Sequence, residues 1–223
     1  VKFLSLIEKI AFEELGLLKI YTYAYDIRPH LYDALALAGY SNEAILKEHH
    51  EEKQGTYFDV VIHSKLNEIS FRNVKSDDKK LVFQWANDEI TRQNSFHSDP
   101  IDYEMHSEWF IEKIENDDVV FYMFSYQGMN AGVVRFESNY NEGIAIIGIN
   151  IAPAYRGLGL AKKFIRISCN NYLRRNPDII ITAYVKTDNV ASIKTFTNSG
   201  FVIDGKETIN NFSAKIFKLK CNI

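Results

Sequence analysis

The sequence of 223 residues is poor in several residue types that mark particular protein classes. Its two cysteines, Cys169 and Cys221, are too few for a disulfide framework and have no nearby Cys or His at the spacing of a metal site. Four prolines and the lack of any Gly/Ser-rich stretch leave no flexible linker. Because of the cysteine count and spacing, we expect no metal site. The hydrophobic content of 46% indicates a folded core.

An excess of charge of one sign is also lacking. Lys and Arg number 26 against 29 Asp and Glu, a formal net charge of −3, which argues against a surface built for nucleic acid. The longest uncharged run lies between Glu142 and Arg156 and is shorter than the ~20 apolar residues that span a bilayer. No basic and then apolar signal segment opens the sequence. These absences predict a cytoplasmic protein without nucleic-acid or membrane partners.

The hydrophobic patterns divide the sequence into two uneven parts that share one order of elements, α, β, α, β, β. In the first part these are helix 4–15, strand 18–24, helix 29–38, and strands 44–46 and 57–62. At the end of the second part they are helix 160–173, strand 179–185, helix 191–198, and two closing strands. Before that ending, the second part has strand patterns near 69 and over 119–126, 131–136 and 144–151, and helical patterns over 81–85 and 102–114.

A weak internal repeat accompanies this shared order. When Gly39 is aligned with Gly200, an offset of 200 − 39 = 161, Ile20 falls on Ile181 and Tyr23 on Tyr184. The sequence therefore predicts half a domain, residues 1–66, followed by a complete one, residues 67–223. Either residues upstream of Val1 are missing or the half domain is a degenerate copy, and the sequence does not distinguish the two.

The most informative local signal is a turn with two glycines, Gly157 and Gly159, between an apolar strand and a helix that carries Lys162 near its start. Small residues followed by a helix N-terminus suit an anion such as a pyrophosphate. The turn is not a Walker loop, because Leu160 and Ala161 follow Gly159, and it lacks the third glycine of a dinucleotide fingerprint. A tight connection without a ligand is the alternative reading.

Two motifs at a suitable separation resemble the GCN5-related N-acetyltransferase (GNAT) superfamily. Its signature Arg/Gln-x-x-Gly-x-Gly/Ala is matched by Arg156, Gly159 and Ala161. Its second signature, an Asn followed by Ser or Ala and ending in Gly-Phe, is matched by Asn189, Ser192 and Gly200-Phe201. The resemblance covers residues 68–223 completely and residues 1–65 only as the carboxyl-terminal half. It implies an α/β (α+β) fold with a mixed, mostly antiparallel sheet flanked by helices, preceded by a truncated half-GNAT copy.

The resemblance also implies acetyl-CoA as a co-substrate. The turn amides would hold the pyrophosphate, the backbone of Ile149 and Ile151 would pair with the pantetheine arm, and Asn189 and Ser192 would hydrogen-bond to it. The cofactor-binding residues predicted in this way are Ile149, Asn150, Ile151, Arg156, Gly157, Leu158, Gly159, Leu160, Ala161, Lys162, Asn189, Ser192 and Phe196.

The first part departs from the second signature. Arg28 stands where the Asn should be and Leu31 where the Ser should be. We therefore expect this part to bind no acetyl-CoA and to be non-catalytic. Its expected role is packing or dimerisation, with a homodimer formed through the half domain or the final strands.

The acceptor pocket is expected between the first two strands of the second part. There the pattern resembles acetyltransferases that act on amino sugars of nucleotide sugars, and it is also similar to branches acting on polyamines and on ribosomal protein amino termini. The substrate-binding residues predicted from it are Trp85, Asn87, Arg92, Phe96, His106 and Trp109. The alternative is that Trp85 and Trp109 are core residues and Arg92 a surface ion pair.

The chemistry of acetyl transfer to an amine requires a proton acceptor, for which Glu137 and His106 are the candidates. The backbone N–H of Ile151 would stabilise the oxyanion. Many GNAT enzymes have a Tyr seven positions after the motif Asn as a general acid, but Phe196 stands there, so Tyr184 or water would protonate the thiolate. That departure keeps a third alternative open, a non-catalytic module that binds CoA or a protein partner.

A last cluster, residues 47–52 with His49 and His50, has adjacent histidines rather than metal spacing. We interpret it as a solvated run of charge at a hairpin end.

Overall fold

The computed structural model describes residues 2–25 and 29–220. The chain divides into two compact units, Val1–Glu68 and Ile69–Ile223. This boundary lies two residues after the predicted one. Asn67 still belongs to the first unit, because its amide donates a hydrogen bond to the carbonyl oxygen of Leu18. Within the described ranges no helix is long and apolar enough to cross a membrane.

The first unit has a three-stranded antiparallel sheet in the order β1-β3-β2. Its elements are α1 (Lys2–Glu8), a π-helix (Lys9–Glu14), β1 (Lys19–Tyr25), α2 (Pro29–Leu37), β2 (Ser41–Lys53) and β3 (Thr56–Leu66). The predicted helix 4–15 is thus an α-helix that widens into a π-helix, in which the amide of Leu15 bonds the carbonyl of Ile10 five residues back. Leu35 and Val60 are fully buried.

Residues 47–52 form the last part of β2, next to the hairpin turn, so the strand extends beyond the predicted bounds 44–46. Within this extension the His50 ring stacks on Tyr25 at 3.8 Å between centroids, and the His49 ring packs edge-on against Tyr23. The turn comes later, at Gly55, whose φ is 81°. In the described part of the chain no cluster of three or more His, Cys, Asp or Glu side chains is arranged to hold a metal.

The second unit has a seven-stranded sheet in the order β4-β5-β6-β7-β8-β10-β9. Its strands are β4 (Ile69–Asn73), β5 (Val119–Tyr126), β6 (Met129–Asn139), β7 (Ile144–Ile151), β8 (Ile180–Lys186), β9 (Val202–Ile209) and β10 (Phe212–Leu219). Its helices are α3 (Lys79–Ala86), α4 (Glu89–Asn94), α5 (Tyr103–Glu115), α6 (Leu160–Arg175) and α7 (Val190–Asn198). Every pair is antiparallel except β7 with β8, so the predicted mixed, mostly antiparallel sheet flanked by helices is confirmed.

Side chains alternate between the two faces of this sheet, as the period of two requires. On one face Phe124 and Phe136 join the core that contains α6 and α7. On the other face Phe121 and Met123 join the core that contains α3 and α5. The interior of the sheet is therefore buried on both sides, and its polar positions on the α3–α5 side are the ones available for chemistry.

Helix α4 was not among the predicted elements. It has six residues and begins after Asp88, whose carboxylate accepts a hydrogen bond from the amide of Thr91. A single polar turn has too few apolar residues to generate a helical period, so only its N-cap signals it. The consequence is that the segment between α3 and α5 is an ordered part of the α3–α5 side.

Candidate active site

Strands β7 and β8 separate after a short parallel contact. They pair only at Ile144 with Ile180, Ala145 with Ile181, and Ile146 with Thr182. Beyond that point β7 continues to Ile151 and β8 to Lys186, but the two strands no longer pair with each other. A wedge-shaped gap therefore opens in the middle of the sheet.

Past its pairing with β8, β7 directs backbone N–H groups into this gap. The amide of Ala152 bonds the carbonyl of Ala131 on the β6 side, and polar groups alternate in direction along an antiparallel strand. The N–H groups of Ile149 and Ile151 accordingly face the gap. An extended amide-containing chain can bond there as an added strand, which is the role predicted for these two residues.

The glycine turn lies at the end of β7, immediately before α6. Gly157 and Gly159 have φ values of 81° and 72°, which residues other than glycine rarely adopt. Gly159 is the N-cap of α6 and has no capping side chain, and no atom lies within 4 Å of a Cβ built at either glycine. The first-turn amides of this 16-residue helix are therefore accessible to an anion, and the arrangement fits the pyrophosphate of CoA.

Other predicted cofactor residues surround the same turn. Leu158 and Lys162 are exposed, whereas Leu160 is buried in the core beneath α6. Asn189 caps α7 by accepting a hydrogen bond of 3.0 Å from the amide of Ser192. These two motif residues thus determine where α7 begins, and the side-chain Nδ2 of Asn189 has no hydrogen-bond partner among the described residues.

Phe196 is buried, with 4% of its surface exposed. Its ring packs edge-on against Phe201 at 5.1 Å and stacks on Phe217 at 5.9 Å. Tyr184, the other residue considered for proton donation, lies on β8 opposite Ile216 and is half-buried. Phe196 contributes to the core, while Tyr184 lies on the opposite face of the sheet from it.

Two of the predicted acceptor residues, Trp85 and Asn87, make contacts within the protein that stabilise the fold. Trp85 is 7% exposed and belongs to the core under α3 and α5. The Asn87 side chain donates to the carbonyl of Ile101 and accepts from its amide, both at 2.7 Å, and so joins the start of the α4 segment to that of α5. Phe96 follows α4 and is half-buried.

Arg92, on α4, is a partly desolvated cation. Its Nη1 donates to the carbonyl of His97 at 3.1 Å, and its Nε is buried without a hydrogen-bond partner. Burial lowers the pKa of Arg92 from its ordinary value. The described residues give it no ion pair with a carboxylate, so the alternative reading of Arg92 as a surface ion pair is not what the structure contains.

Lys186 is a second cation of this region, more deeply buried than Arg92, and sequence reasoning missed it. It is 4% exposed, its Nζ donates to the carbonyl oxygen of Gln93 at 2.9 Å, and the same nitrogen lies 3.6 Å from the centroid of the Phe212 ring. As with Arg92, no carboxylate among the described residues pairs with it. Alternation along β8 puts Lys186 on the same face as Tyr184 and Thr182.

Glu137 is held between two cations. Its carboxylate pairs with Arg135 at 2.7 Å and with Lys113 at 2.9 Å, and the Arg135 guanidinium lies 4.7 Å from the centroid of the Trp109 ring. Burial raises the pKa of Glu137, but Arg135 and Lys113 outweigh it and keep the pKa below its ordinary value. A carboxylate stabilised in its ionised form is a weak proton acceptor.

His106, on α5, is 3% exposed among the rings of Phe83, Trp109 and Phe110. Neither ring nitrogen has a hydrogen-bond partner. Burial, and then the charges of Arg92 and Lys79, lower its pKa below the ordinary 6.5. The lowered pKa favours the neutral imidazole, and both of its ring nitrogens are buried without a hydrogen-bond partner.

Residues 68–202 match the family model described as an acetyltransferase (GNAT) domain. No curated protein sequence matches the chain significantly. Three similar solved structures have identities of 17% to 21%, and at that level the likeness shows the fold alone.

These three structures are acetyltransferases with different acceptors in their names. Aminoglycoside acetyltransferase AAC(6')-Ib with coenzyme A has 17% identity and a TM-score of 0.59, covering 68% of this chain and 94% of that one. The ribosomal L7/L12 alpha-N-protein acetyltransferase RimL with coenzyme A has 17% and 0.61, covering 70% and 95%. Spermidine N-acetyltransferase from Vibrio cholerae with CoA and spermine has 21% and 0.59, covering 68% and 95%.

The family match spans more than half of the 223 residues and includes both the glycine turn and the cap of α7. Helix α6, the glycine turn before it and the gap between β7 and β8 follow one another, an arrangement that fits an extended ligand with a pyrophosphate. The chain belongs to the GNAT family of acetyltransferases and is an acetyl-CoA-dependent N-acetyltransferase.

Proposed function

We propose that the acceptor is the amino group of a nucleotide-linked amino sugar. The observation that carries this proposal is the charge on the α3–α5 side of the sheet. Arg92 and Lys186 are cations without carboxylate partners among the described residues, while Glu137 already has two cationic partners. Cations that are withdrawn from solvent, almost fully at Lys186 and partly at Arg92, and that lack a carboxylate partner favour an anionic ligand such as a diphosphate.

The same charge distribution argues against a polyamine, which needs carboxylates free to receive its ammonium groups. Asp88 is paired with Arg156 at 2.6 Å, so neither it nor Glu137 is available. The remaining acidic side chains of this segment are exposed to solvent: Glu89, Asp99, Asp102, Glu104 and Glu108. A peptide amino terminus lacks the phosphates that would use Arg92 and Lys186.

In the proposed reaction the acceptor nitrogen forms a bond to the acetyl carbon, and the bond from that carbon to sulfur breaks. His106 accepts the amine proton, since its imidazole is neutral and unpartnered, and Glu137 is the second candidate. The N–H of Ile151, directed into the gap, stabilises the oxyanion. The thiolate takes its proton from Tyr184 or water.

A panel of four acceptors tests the acceptor class: a UDP-linked amino sugar, the same amino sugar without the nucleotide, spermidine, and a peptide with a free amino terminus. Thiol release from acetyl-CoA is measured for each at equal concentration. We expect kcat/KM to be highest for the UDP-linked sugar, and Arg92→Gln to raise its KM. A higher value for spermidine or the peptide overturns the proposal, and turnover of no amine supports a non-catalytic module instead.

For residues 1–66 we propose a non-catalytic copy of the carboxyl-terminal half of the GNAT domain. Adding 161 to the bounds of β1 and α2 gives the bounds of β8 and α7, and the sheet orders β1-β3-β2 and β8-β10-β9 correspond. Leu31 replaces the motif Ser, and Arg28, which replaces the motif Asn, lies outside the described residues.

The expected role of this copy is packing or dimerisation, through the half domain or the final strands. Calorimetry of the full chain tests its lack of a cofactor site, because one acetyl-CoA per chain supports the proposal and two contradict it. Sedimentation equilibrium tests dimerisation, since each chain has a mass of 25.8 kDa.

A further inference from the structure

Arg156 matches the first position of the acetyl-CoA signature, but its guanidinium is bonded to the protein. Nη1 pairs with the Asp88 carboxylate at 2.6 Å, Nη2 donates to the Thr91 hydroxyl at 2.9 Å, and Nε donates to the carbonyl of Ile151 at 3.2 Å. All three nitrogens are engaged, two of them with the first turn of α4. Arg156 therefore joins the turn that binds the pyrophosphate to a helix on the acceptor side.

Asp88 completes the joint from the other side. The oxygen that pairs with Arg156 also accepts from the amide of Thr91 at 3.1 Å, and the Thr91 hydroxyl lies 3.4 Å from the side-chain oxygen of Asn150 on β7. Burial raises the pKa of Asp88, but Arg156 and the Thr91 amide outweigh it and lower the pKa overall. The carboxylate is thus ionised at neutral pH.

Helix α4 depends on this joint for its position. A helix of six residues is not stable by itself in water, so its cap and its contacts decide where it lies. The same helix carries Arg92, and the carbonyl of Gln93 receives the Lys186 ammonium. An unbroken series of bonds therefore runs from the glycine turn to both unpaired cations.

We infer that Arg156 and Asp88 are positioning residues that hold α4 in the geometry the acceptor requires, and that acetyl-CoA bound at the glycine turn orders α4 through them. By thermodynamic reciprocity, the acceptor then binds more tightly to the protein that holds acetyl-CoA, and acetyl-CoA binds more tightly when the acceptor is present. The inference rests on the GNAT activity and on the site of the glycine turn, but not on which amine is the acceptor.

Hydrogen exchange with coenzyme A as the probe tests the inference without any acceptor. In the wild type, saturating coenzyme A is expected to slow amide exchange in two segments, residues 157–163 and residues 89–95. In Asp88→Asn, which keeps a capping side chain but removes the charge of the pair, only residues 157–163 are expected to be protected.

The matched control is Asp102→Asn. Asp102 caps α5 by accepting from the amide of Met105 at 3.0 Å and has no ion pair among the described residues. This control is expected to behave as the wild type in both segments. Equal protection of residues 89–95 in Asp88→Asn and in the wild type overturns the inference, as does loss of protection in Asp102→Asn to the same degree.

Kinetics distinguish a positioning role from direct binding of the cofactor. With the most active amine of the four-acceptor panel, Asp88→Asn and Arg156→Gln are each expected to raise the acceptor KM about tenfold, the size of one charged hydrogen bond. The Kd of coenzyme A should rise by a smaller factor than the acceptor KM, and by a similar factor in both variants, because a ligand that orders α4 binds less tightly where it cannot do so. The double variant should resemble either single variant, because the two residues form one joint.

The opposite pattern overturns the inference. If Arg156→Gln weakens coenzyme A about tenfold and leaves the acceptor KM unchanged, then Arg156 binds the cofactor directly. Failure of the proposed acceptor class has a different signature, since it changes which amine is acetylated and leaves the exchange result intact.

Discussion

The Nζ of Lys186 donates a hydrogen bond of 2.9 Å to the backbone carbonyl of Gln93, 93 positions earlier in the sequence. The bond joins the end of β8 to α4 across the acceptor side of the sheet. Because the acceptor of this bond is a neutral carbonyl, the charge of the ammonium is left for another group to balance.

Replacing Lys186 with Met should weaken an anionic acceptor. Met keeps the apolar stem but removes the ammonium, so KM for a UDP-linked amino sugar is expected to rise about tenfold or more. KM for the corresponding amino sugar without the nucleotide should change little. Steady-state kinetics on both substrates check this, with Lys206→Met on the exposed face of β9 as the control. Equal losses for both substrates would contradict a role in binding the phosphates.

Replacing Gly159 with Ala should remove acetyl-CoA binding at a modest cost in stability. A φ of 72° strains any residue with a Cβ by about 1–2 kcal/mol, and the methyl group would stand where a pyrophosphate approaches the turn. Gly55→Ala is the matched control, since Gly55 has a φ of 81° and no atom within 4 Å of its Cβ position. Calorimetry should detect binding in the control alone. Comparable losses of stability in both variants, measured by thermal unfolding, identify backbone strain as their shared effect.

Replacing His106 with Gln should remove the acidic limb of the pH profile. A base must be deprotonated, and the pKa of His106 lies below 6.5, so wild-type kcat/KM is expected to be constant near pH 7 and to fall only as the pH drops through that lowered pKa. The variant should lose about 10²–10⁴ in kcat. An acidic limb that persists in His106→Gln would assign it to another group, and Glu137→Gln is then the next variant. The exposed His30, replaced by Gln, serves as the control.

Replacing Phe196 with Tyr should lower stability without raising the rate. The Phe196 ring is enclosed by Phe201 and Phe217, and burying an unpaired hydroxyl costs about 1–3 kcal/mol. Thermal unfolding and kcat are the two measurements. An increase in kcat would mean that the hydroxyl reaches the departing sulfur after all.

Replacing Gly132 with Ala should destabilise the second unit. A Cβ there would lie 2.7 Å from the carbonyl oxygen of Asn150 and 3.2 Å from Phe164 of α6, both in packed surroundings. Overpacking of this kind costs about 1–3 kcal/mol. Gly148→Ala on the neighbouring strand is the control, because its Cβ meets only a guanidinium nitrogen of Arg135 at 3.9 Å. Equal midpoints of urea unfolding for the two variants would contradict the predicted overlap.

The strongly patterned elements of the second unit could be read from the sequence. The predicted strands 119–126 and 144–151 coincide with β5 and β7, because continuous apolar runs bounded by polar residues or glycine specify buried strands. The helix after the glycine turn was also expected, since the turn residues and the amphipathic pattern agree. The GNAT motifs then predicted where acetyl-CoA would bind on these elements.

The acceptor side was predicted less completely, and the reason is physical. Lys186 looks like an ordinary exposed lysine at the end of a strand, but in the folded protein it is buried, with its Nζ bonded to the Gln93 carbonyl and close to the Phe212 ring. Likewise, the partner of Arg156 is Asp88, far away in the sequence, so no local pattern could indicate that the motif arginine faces the acceptor helix. Interactions made across the sheet are properties of the tertiary structure.

The line between β7 and β8 has the shortest strand pairing in the sheet of the second unit, because only three residues of each strand take part. Four strands lie on one side of that line and three on the other, and in the sheet itself only the residue pairs from Ile144 to Ile146 join them. A ligand that hydrogen-bonds to the part of β7 that faces the gap is therefore expected to stabilise the whole unit. Stabilisation by coenzyme A should then increase with the logarithm of its concentration above Kd, and purification in its presence should protect the protein against opening along this line.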